Sequence, residues 1–164
     1  MTQPASRPAV APRNESGARL DATAKRIIEL LQNDGRTSYA TIAKEVGLSE
    51  AGVRSRVQKL LEAEVMQIVA VTDPTQVGFA RQAMIGVRTE GDPRAVGDRL
   101  ADLPEVDYVV TTAGSFDVLV EVVCEDDDQL LEIIHRMRAV PGVLTTETFV
   151  YLKLNKQHYN WGTR

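Results

Sequence analysis

The chain has 164 residues, of which 43% are hydrophobic and 26% charged, with a formal net charge of −4. That is the composition of a soluble globular protein holding one large or two small domains. No apolar run approaches the roughly 18 residues needed to cross a bilayer. The opening MTQPASRPAVAPRNESG lacks the apolar stretch of a secretory signal, and Cys124 stands alone, which leaves no disulfide framework and no cysteine metal cluster. A cytoplasmic protein without membrane contact is expected.

The charge is unevenly divided. Residues 1–63 hold ten Lys/Arg against seven Asp/Glu, and residues 64–164 hold nine against sixteen, so a front half at +3 precedes a back half at −7. Such asymmetry hints at a nucleic-acid-binding end joined to something else. Residues 1–19, with Pro4, Pro8 and Pro12, have almost nothing to bury and read as a disordered tail. Its arginines, Arg7, Arg13 and Arg19, can reach DNA phosphates, but a solvated tail is the favoured reading.

Leu20, Ala24, Ile27, Ile28 and Leu31 recur at helical period, which predicts an amphipathic helix capped by Asp21 and ending near Asn33–Gly35. A second helix follows Ser38 as N-cap, with Ile42, Ala43 and Val46 on one side, and Gly47 suits the left-handed position that ends it. Ser49 caps a third, whose buried stripe is Val53, Val57, Leu60 and Leu61. Stepping 100° per residue from Val53 places Gly52, Ser55 and Lys59 near the far face and Arg54 and Arg56 on its flanks. A short, small-residue, basic face on the second helix of such a pair is what a DNA major groove accepts. Arg54, Arg56 and Lys59 are therefore the leading candidate DNA contacts, with Ser38, Tyr39, Ser49, Gly52 and Ser55 beside them. Arginine grips guanine bidentately, while Lys and hydroxyls serve phosphates. The plainer reading is a solvated face with Arg56 paired to an acidic neighbour.

Val65 to Thr72 is rich in β-branched residues and reads as a strand or extended linker, stopped by Asp73-Pro74. The remainder repeats itself. Leu103-Pro104-Glu105-Val106 recurs 37 residues later as Val140-Pro141-Gly142-Val143, and the same offset lays Arg99 on Arg136 and Thr111 on Thr148. Each copy runs strand, helix, Pro-containing turn, strand. The first is Gln82–Thr89, Pro93–Ala101 and Val106–Thr112; the second is Val118–Cys124, Asp127–Arg138 and Leu144–Leu154. Two βαβ units in sequence give a ferredoxin-like antiparallel sheet with helices on one face. The other face, carrying Val, Leu and Ile, then needs a partner and predicts a dimer.

Thr112-Ala113-Gly114-Ser115-Phe116-Asp117 bridges the two central strands of this plan. A positive φ at Gly114 exposes N–H groups that can take a carboxylate, and Asp117 can take an ammonium, so the corner can hold an amino-acid zwitterion. On chemistry alone a plain hairpin with Asp as turn former is the better reading. Thr146 and Thr148 can add hydroxyls from a neighbouring subunit. Asp126, Asp127 and Asp128 follow Glu125 and suit a helix N-terminus better than a cation site. His135 and His158 lack partners at ligand spacing, Cys124 reads as a core thiol, and no nucleophile–base pair is present. No catalytic residue, metal or cofactor is expected.

With both halves placed, the chain resembles the Lrp/AsnC (feast/famine) family of transcription regulators. The resemblance is carried by Leu20-Asp21, Ile27 to Leu31, Asp34 to Tyr39, Ile42-Ala43, Val46 to Ser49, Val53 to Val57, Leu60, Asp73-Pro74, Gly78, Gly114, Asp117 and Pro141-Gly142-Val143. It covers roughly 20–155. Three departures are Gly52 inside the third helix, Glu64 where the family usually has Gly, and Ala24 where an acidic residue is frequent.

The resemblance implies an α+β architecture, an N-terminal winged helix-turn-helix (three-helix) domain followed by a ferredoxin-like βαββαβ sandwich. The expected divisions are a tail at 1–19, the DNA-binding domain at 20–64, a strand or linker at 65–80, the effector-binding and oligomerising domain at 81–155, and a C-terminal tail at 156–164. It further implies a DNA-binding regulator that forms homodimers, often octamers, and senses an amino acid at contacts between dimers. The residues it marks for that effector are Gly114, Ser115, Phe116 and Asp117, with Thr146 and Thr148. The rival readings are a ligand-independent protein that wraps DNA, and a small-molecule enzyme on the ferredoxin-like half.

Overall fold

The computed structural model describes residues 20–164. The tail expected over residues 1–19, with Arg7, Arg13 and Arg19, lies outside the described residues. The described chain divides into two units, one of residues 20–70 with 157–164, the other of residues 71–156.

The first unit is three helices: α1 (Ala22–Asn33), α2 (Tyr39–Val46) and α3 (Glu50–Glu62). Each begins at the expected cap. The side chains of Asp21, Ser38 and Ser49 accept from the N–H groups of Ala24, Thr41 and Gly52, donors that a helix start otherwise leaves unpaired. The apolar stripes meet inward, where Ile27, Ile42 and Val53 are fully buried beside Ala24, Ile28, Leu31, Ala43, Val57 and Leu60. Gly47, at φ 68, ends α2 in the left-handed region.

The end of α3 is less usual. Glu64 donates its N–H to the Leu61 carbonyl and Val65 donates to Leu60, a paired closure that needs a left-handed residue at 64. Glu64 supplies it at φ 55, the one non-glycine with positive φ among the described residues. This accounts for the family's glycine there: a Cβ in that region costs about 1–2 kcal/mol. Beyond it, 65–73 forms no strand among the described residues.

The second unit follows a short 3₁₀ turn at Pro74–Val77. Its elements are β1 (Arg81–Thr89), α4 (Pro93–Ala101), β2 (Val106–Thr111), β3 (Val118–Cys124), α5 (Asp127–Arg138) and β4 (Val143–Val150). All pairings are antiparallel, in the order β2-β3-β1-β4, which is the ferredoxin-like arrangement. β4 stops four residues short of the expected Leu154. Its last pair with β1 is Ala83 opposite Val150, followed by one bond from the Tyr151 N–H to the Gln82 carbonyl. β2 ends one residue early, at Thr111, with the Thr112 N–H still donating to the Asp117 carbonyl across the turn.

The 37-residue repeat extends into the core. Ala83 and Val120, Ile85 and Val122, Val87 and Cys124, Val96 and Ile133, and Leu100 and Met137 are repeat-related pairs, and all are buried in one cluster between the sheet and its helices. Each helix also anchors the other copy's turn. Arg99 on α4 donates to the Pro141 carbonyl at 2.8 Å, and Arg136 on α5 pairs with Glu105 at 2.5 Å. The opposite sheet face carries Met84, Tyr108, Val110, Leu119, Val123 and Phe149, and no element of this unit's described residues covers it; Tyr108 and Phe149 are 51% and 44% exposed.

Candidate nucleic-acid interface and effector turn

On α3, burial of Val53, Val57 and Leu60 turns Arg54, Ser55 and Lys59 outward, and all three are exposed. The candidate contacts differ in what else holds them. The Arg54 guanidinium stands 5.2 Å over the Tyr39 ring and 3.5 Å from Glu50, with its side chain 67% exposed. Those contacts aim the group without burying it. Arg56 turns the other way, its Nη1 lying 2.6 Å from Asp21 Oδ2. The Asp21 carboxyl is held below the usual carboxylate range, first by the backbone N–H of Ala24 and then by Arg56. Arg56 thus locks α3 to the cap of α1, as its plainer reading had it.

The two serines are engaged as caps: Ser38 Oγ accepts from Thr41 at 3.1 Å and shares a 2.8 Å contact with the Thr41 hydroxyl, while Ser49 Oγ accepts from Gly52 at 3.1 Å. A Cβ on Gly52 would lie 3.3 Å from Ser49 Oγ, so the absent side chain leaves that cap its room. Thr41 was not foreseen as a partner of Ser38. Its place three residues after the cap is the signal that could have found it.

The turn at 112–117 joins the edge strand β2 to the central strand β3, and so does not bridge two central strands. Gly114 does not use the left-handed region expected of it. The reason is the length of the connection: Thr112 donates its N–H to Asp117 (2.8 Å) and its hydroxyl to Phe116 (2.5 Å), and the residues between need no tight reversal. The Asp117 carboxylate accepts from the Thr89 N–H at 2.7 Å and from its hydroxyl at 3.3 Å, which ties the turn to the end of β1. Phe116 lies flat over Gly86, where a Cβ would come within 2.6–2.7 Å of three ring carbons. Its ring meets Phe149 edge-on at 6.0 Å, and Arg88 sits 5.9 Å over it. Ser115 is exposed beside it.

Thr146 and Thr148, expected at this corner from a neighbouring subunit, lie away from it within the chain. Their partners across the ladder, Val87 and Ile85, point to the helix side, whereas Phe116 covers the open side. The Thr146 hydroxyl accepts from Arg138 Nε at 2.8 Å. Thr89, Gly86 and Arg88, which position the turn, were not singled out from sequence. Only the register reveals them, since they lie about thirty residues from what they hold.

Other titratable groups have structural places. Asp126 caps α5 by accepting from Gln129 at 2.8 Å, and Asp127 pairs with Arg81. The Cys124 thiol is fully buried and pushed up to about 11, by burial first and then by Glu105, Asp107 and Asp126. On the open sheet face, Gln82 donates to Glu121 at 2.9 Å, and burial followed by a hydrogen bond to Glu121 raises Tyr151 to about 12. No helix among the described residues is long and apolar enough to cross a membrane.

Comparison with known proteins agrees with both units. Residues 20–61 match the AsnC-type helix-turn-helix domain, and residues 79–164 match a family of AsnC-type C-terminal dimeric alpha+beta barrel domains. The transcriptional regulator FL11 of Pyrococcus horikoshii is 34% identical over 140 residues, covering 84% of this chain and 93% of its own. The crystal structure of the leucine response regulatory protein LrpA of Mycobacterium tuberculosis superposes with a TM-score of 0.76 at 26% identity, over 84% of this chain and 96% of that one. A Neisseria meningitidis transcriptional regulator, solved as its L-Met complex, gives 0.73 at 25% identity, over 86% and 95%. A capped three-helix reading unit followed by a β2-β3-β1-β4 sheet, matched along nearly the full length of these relatives, places the chain in the Lrp/AsnC family of transcriptional regulators.

Proposed function

We propose that this regulator binds DNA sequence-specifically through the outer face of α3, and that its sheet unit both pairs with a second copy and senses an amino acid. The observation that carries the first part is the outward face of α3: Arg54, Ser55 and Lys59 stand exposed opposite a stripe buried against α1 and α2. An exposed guanidinium and ammonium about one and a half turns apart suit a major groove edged by phosphates. Ser38, Tyr39, Ser49 and Gly52 support that face, and Arg56 positions it through Asp21.

Pairing is supported by the uncovered apolar side of the sheet and by the dimeric domain family that this half matches. Exposed aromatic side chains on that face, Tyr108 and Phe149, suit a surface that a partner covers. Amino-acid sensing is supported by the turn at Gly114–Asp117, whose carboxylate and backbone sit at the end of the central strands, and by a related regulator solved with L-Met. Assembly of dimers into octamers extends the same reading, with effector binding favouring one assembly over another.

The test is binding to the duplex flanking the protein's own coding sequence, across a salt series and with a panel of amino acids. Replacing Arg54 and Lys59 together with Ala should weaken binding at low salt and flatten the log–log salt dependence by about 0.9 for each lost phosphate contact. An unchanged slope would remove α3's outer face from the interface. A thermal-shift and ultracentrifugation screen in which no amino acid moves either melting or assembly would dispose of the sensing part alone.

A further inference from the structure

The last eight residues belong to the helical unit, although the chain reaches them only after the whole sheet unit. Three contacts hold them on α1. The Thr163 hydroxyl donates to Glu29 Oε1 at 2.7 Å, the Gly162 N–H donates to Gln32 Oε1 at 3.1 Å, and Asn160 Nδ2 lies 3.5 Å from Asn33 Oδ1. Glu29, Gln32 and Asn33 occupy successive positions on the last turns of α1, away from the stripe of Ile27, Ile28 and Leu31 that faces the core. Gly162 takes a φ of 76, which lets the segment bend so that both it and Thr163 are half-buried there.

We propose that Gln157–Arg164 is a releasable strap on the reading unit, with the outer face of α1 as its seat. The chain leaves the helical unit after Ala70 and re-enters it at Gln157, so a docked strap holds that unit by two covalent leads where release leaves one. The seat is polar and the contacts are few. Each hydrogen bond gains little over water, while ordering the segment costs conformational entropy, so the docked state is poised near balance. A second lead narrows the range over which the unit can swing, which matters when two copies must meet two half-sites at fixed spacing.

Trp161, the only tryptophan of the chain, is 80% exposed on the strap and reports on it directly. In the full-length protein its nanosecond anisotropy decay should retain a slow component. The Gly162→Ala and Thr163→Val double variant, which leaves α1 untouched, should cut that component by about half, toward the motion of a free terminus. Glu29→Ala with Gln32→Ala should do the same from the other side, and circular dichroism checks that α1 stays folded. No change in anisotropy with the strap-side variant would overturn docking, whatever the DNA data show. The functional half rests on the DNA-binding reading: released variants should lose more affinity for a duplex with two half-sites than for one with a single half-site. Equal loss on both, or none while wild type binds normally, would overturn the tethering role.

Discussion

The two strand–helix–strand copies of the sheet unit, residues 81–111 and 118–150, are alike where they build the core and unlike where they do anything else. Five repeat-related pairs lie buried between sheet and helices, and the two arginines cross to anchor each other's turn. Two positions break the equivalence. Gly142, at φ 91 in the second turn, corresponds to Glu105 in the first, and Gly86 on β1 corresponds to Val123 on β3. Both glycines are sites where something lies too close for a Cβ: Val96 and the Glu90 carbonyl at Gly142, the Phe116 ring at Gly86. Repetition marks what the fold requires, and its loss marks where one copy has been bent to hold a neighbouring segment.

The largest expected effect follows from the turns. Gly142→Ala places a Cβ 2.8 Å from Val96 in a left-handed residue and should destabilise the sheet unit by about 2–4 kcal/mol. Glu105→Ala at the matching position meets no such clash but removes the partner of Arg136 from a mostly buried ion pair, and should cost less, about 1–2 kcal/mol. Equal shifts of the two urea midpoints would show that the turns are interchangeable after all.

Next comes the sheet face. Gly86→Ala should displace Phe116 and cost about 1–3 kcal/mol, loosening the 112–117 turn, whereas Val123→Ala should leave the turn as it is. The readout is the ring resonances of Phe116 and Phe149, whose edge-on contact should vanish only in the first variant.

The smallest effect separates the helix starts by pH. Asp92 caps α4 and its carboxyl is lowered first by Arg94; Asp127 at the start of α5 is lowered first by its hydrogen bond to Arg81. A lowered native value means that the contribution is fully present above the ordinary Asp value of about 3.9 and is lost as pH falls through the native one. Urea midpoints should therefore hold between pH 5 and 7 on the order of constancy expected from carboxylates already ionised, and fall in more acid solution. Asp127→Asn should flatten that fall, and an identical acid profile would deny the Arg81 pair its role.

Both the shared frame and the odd positions bear on how far function can be read without coordinates. The reading helices were legible because caps and stripes act over three or four residues: Asp21, Ser38 and Ser49 each accept from an N–H three positions on. The repeat was legible because one offset carried strands, helices and turns together. Among the candidate site residues, Arg54, Ser55 and Lys59 emerged outward as the helical period dictates. Arg56 shared that flank by angle alone, yet its long side chain found Asp21 thirty-five residues away.

What the amino-acid order determined by itself, then, is everything decided between near neighbours: three capped helices, the pair of βαβ units, a basic outer face and a glycine at the close of α2. Tertiary structure alone decided that Asp117 ties down Thr89, that Thr146 and Thr148 point to the helices, that Gly114 needs no left-handed turn, and that the C-terminus returns to α1. The division has a physical cause. Helical period and capping are satisfied by bonds within one turn of chain, whereas register, crossed ion pairs and a docked terminus depend on which distant segments packing brings within hydrogen-bonding reach.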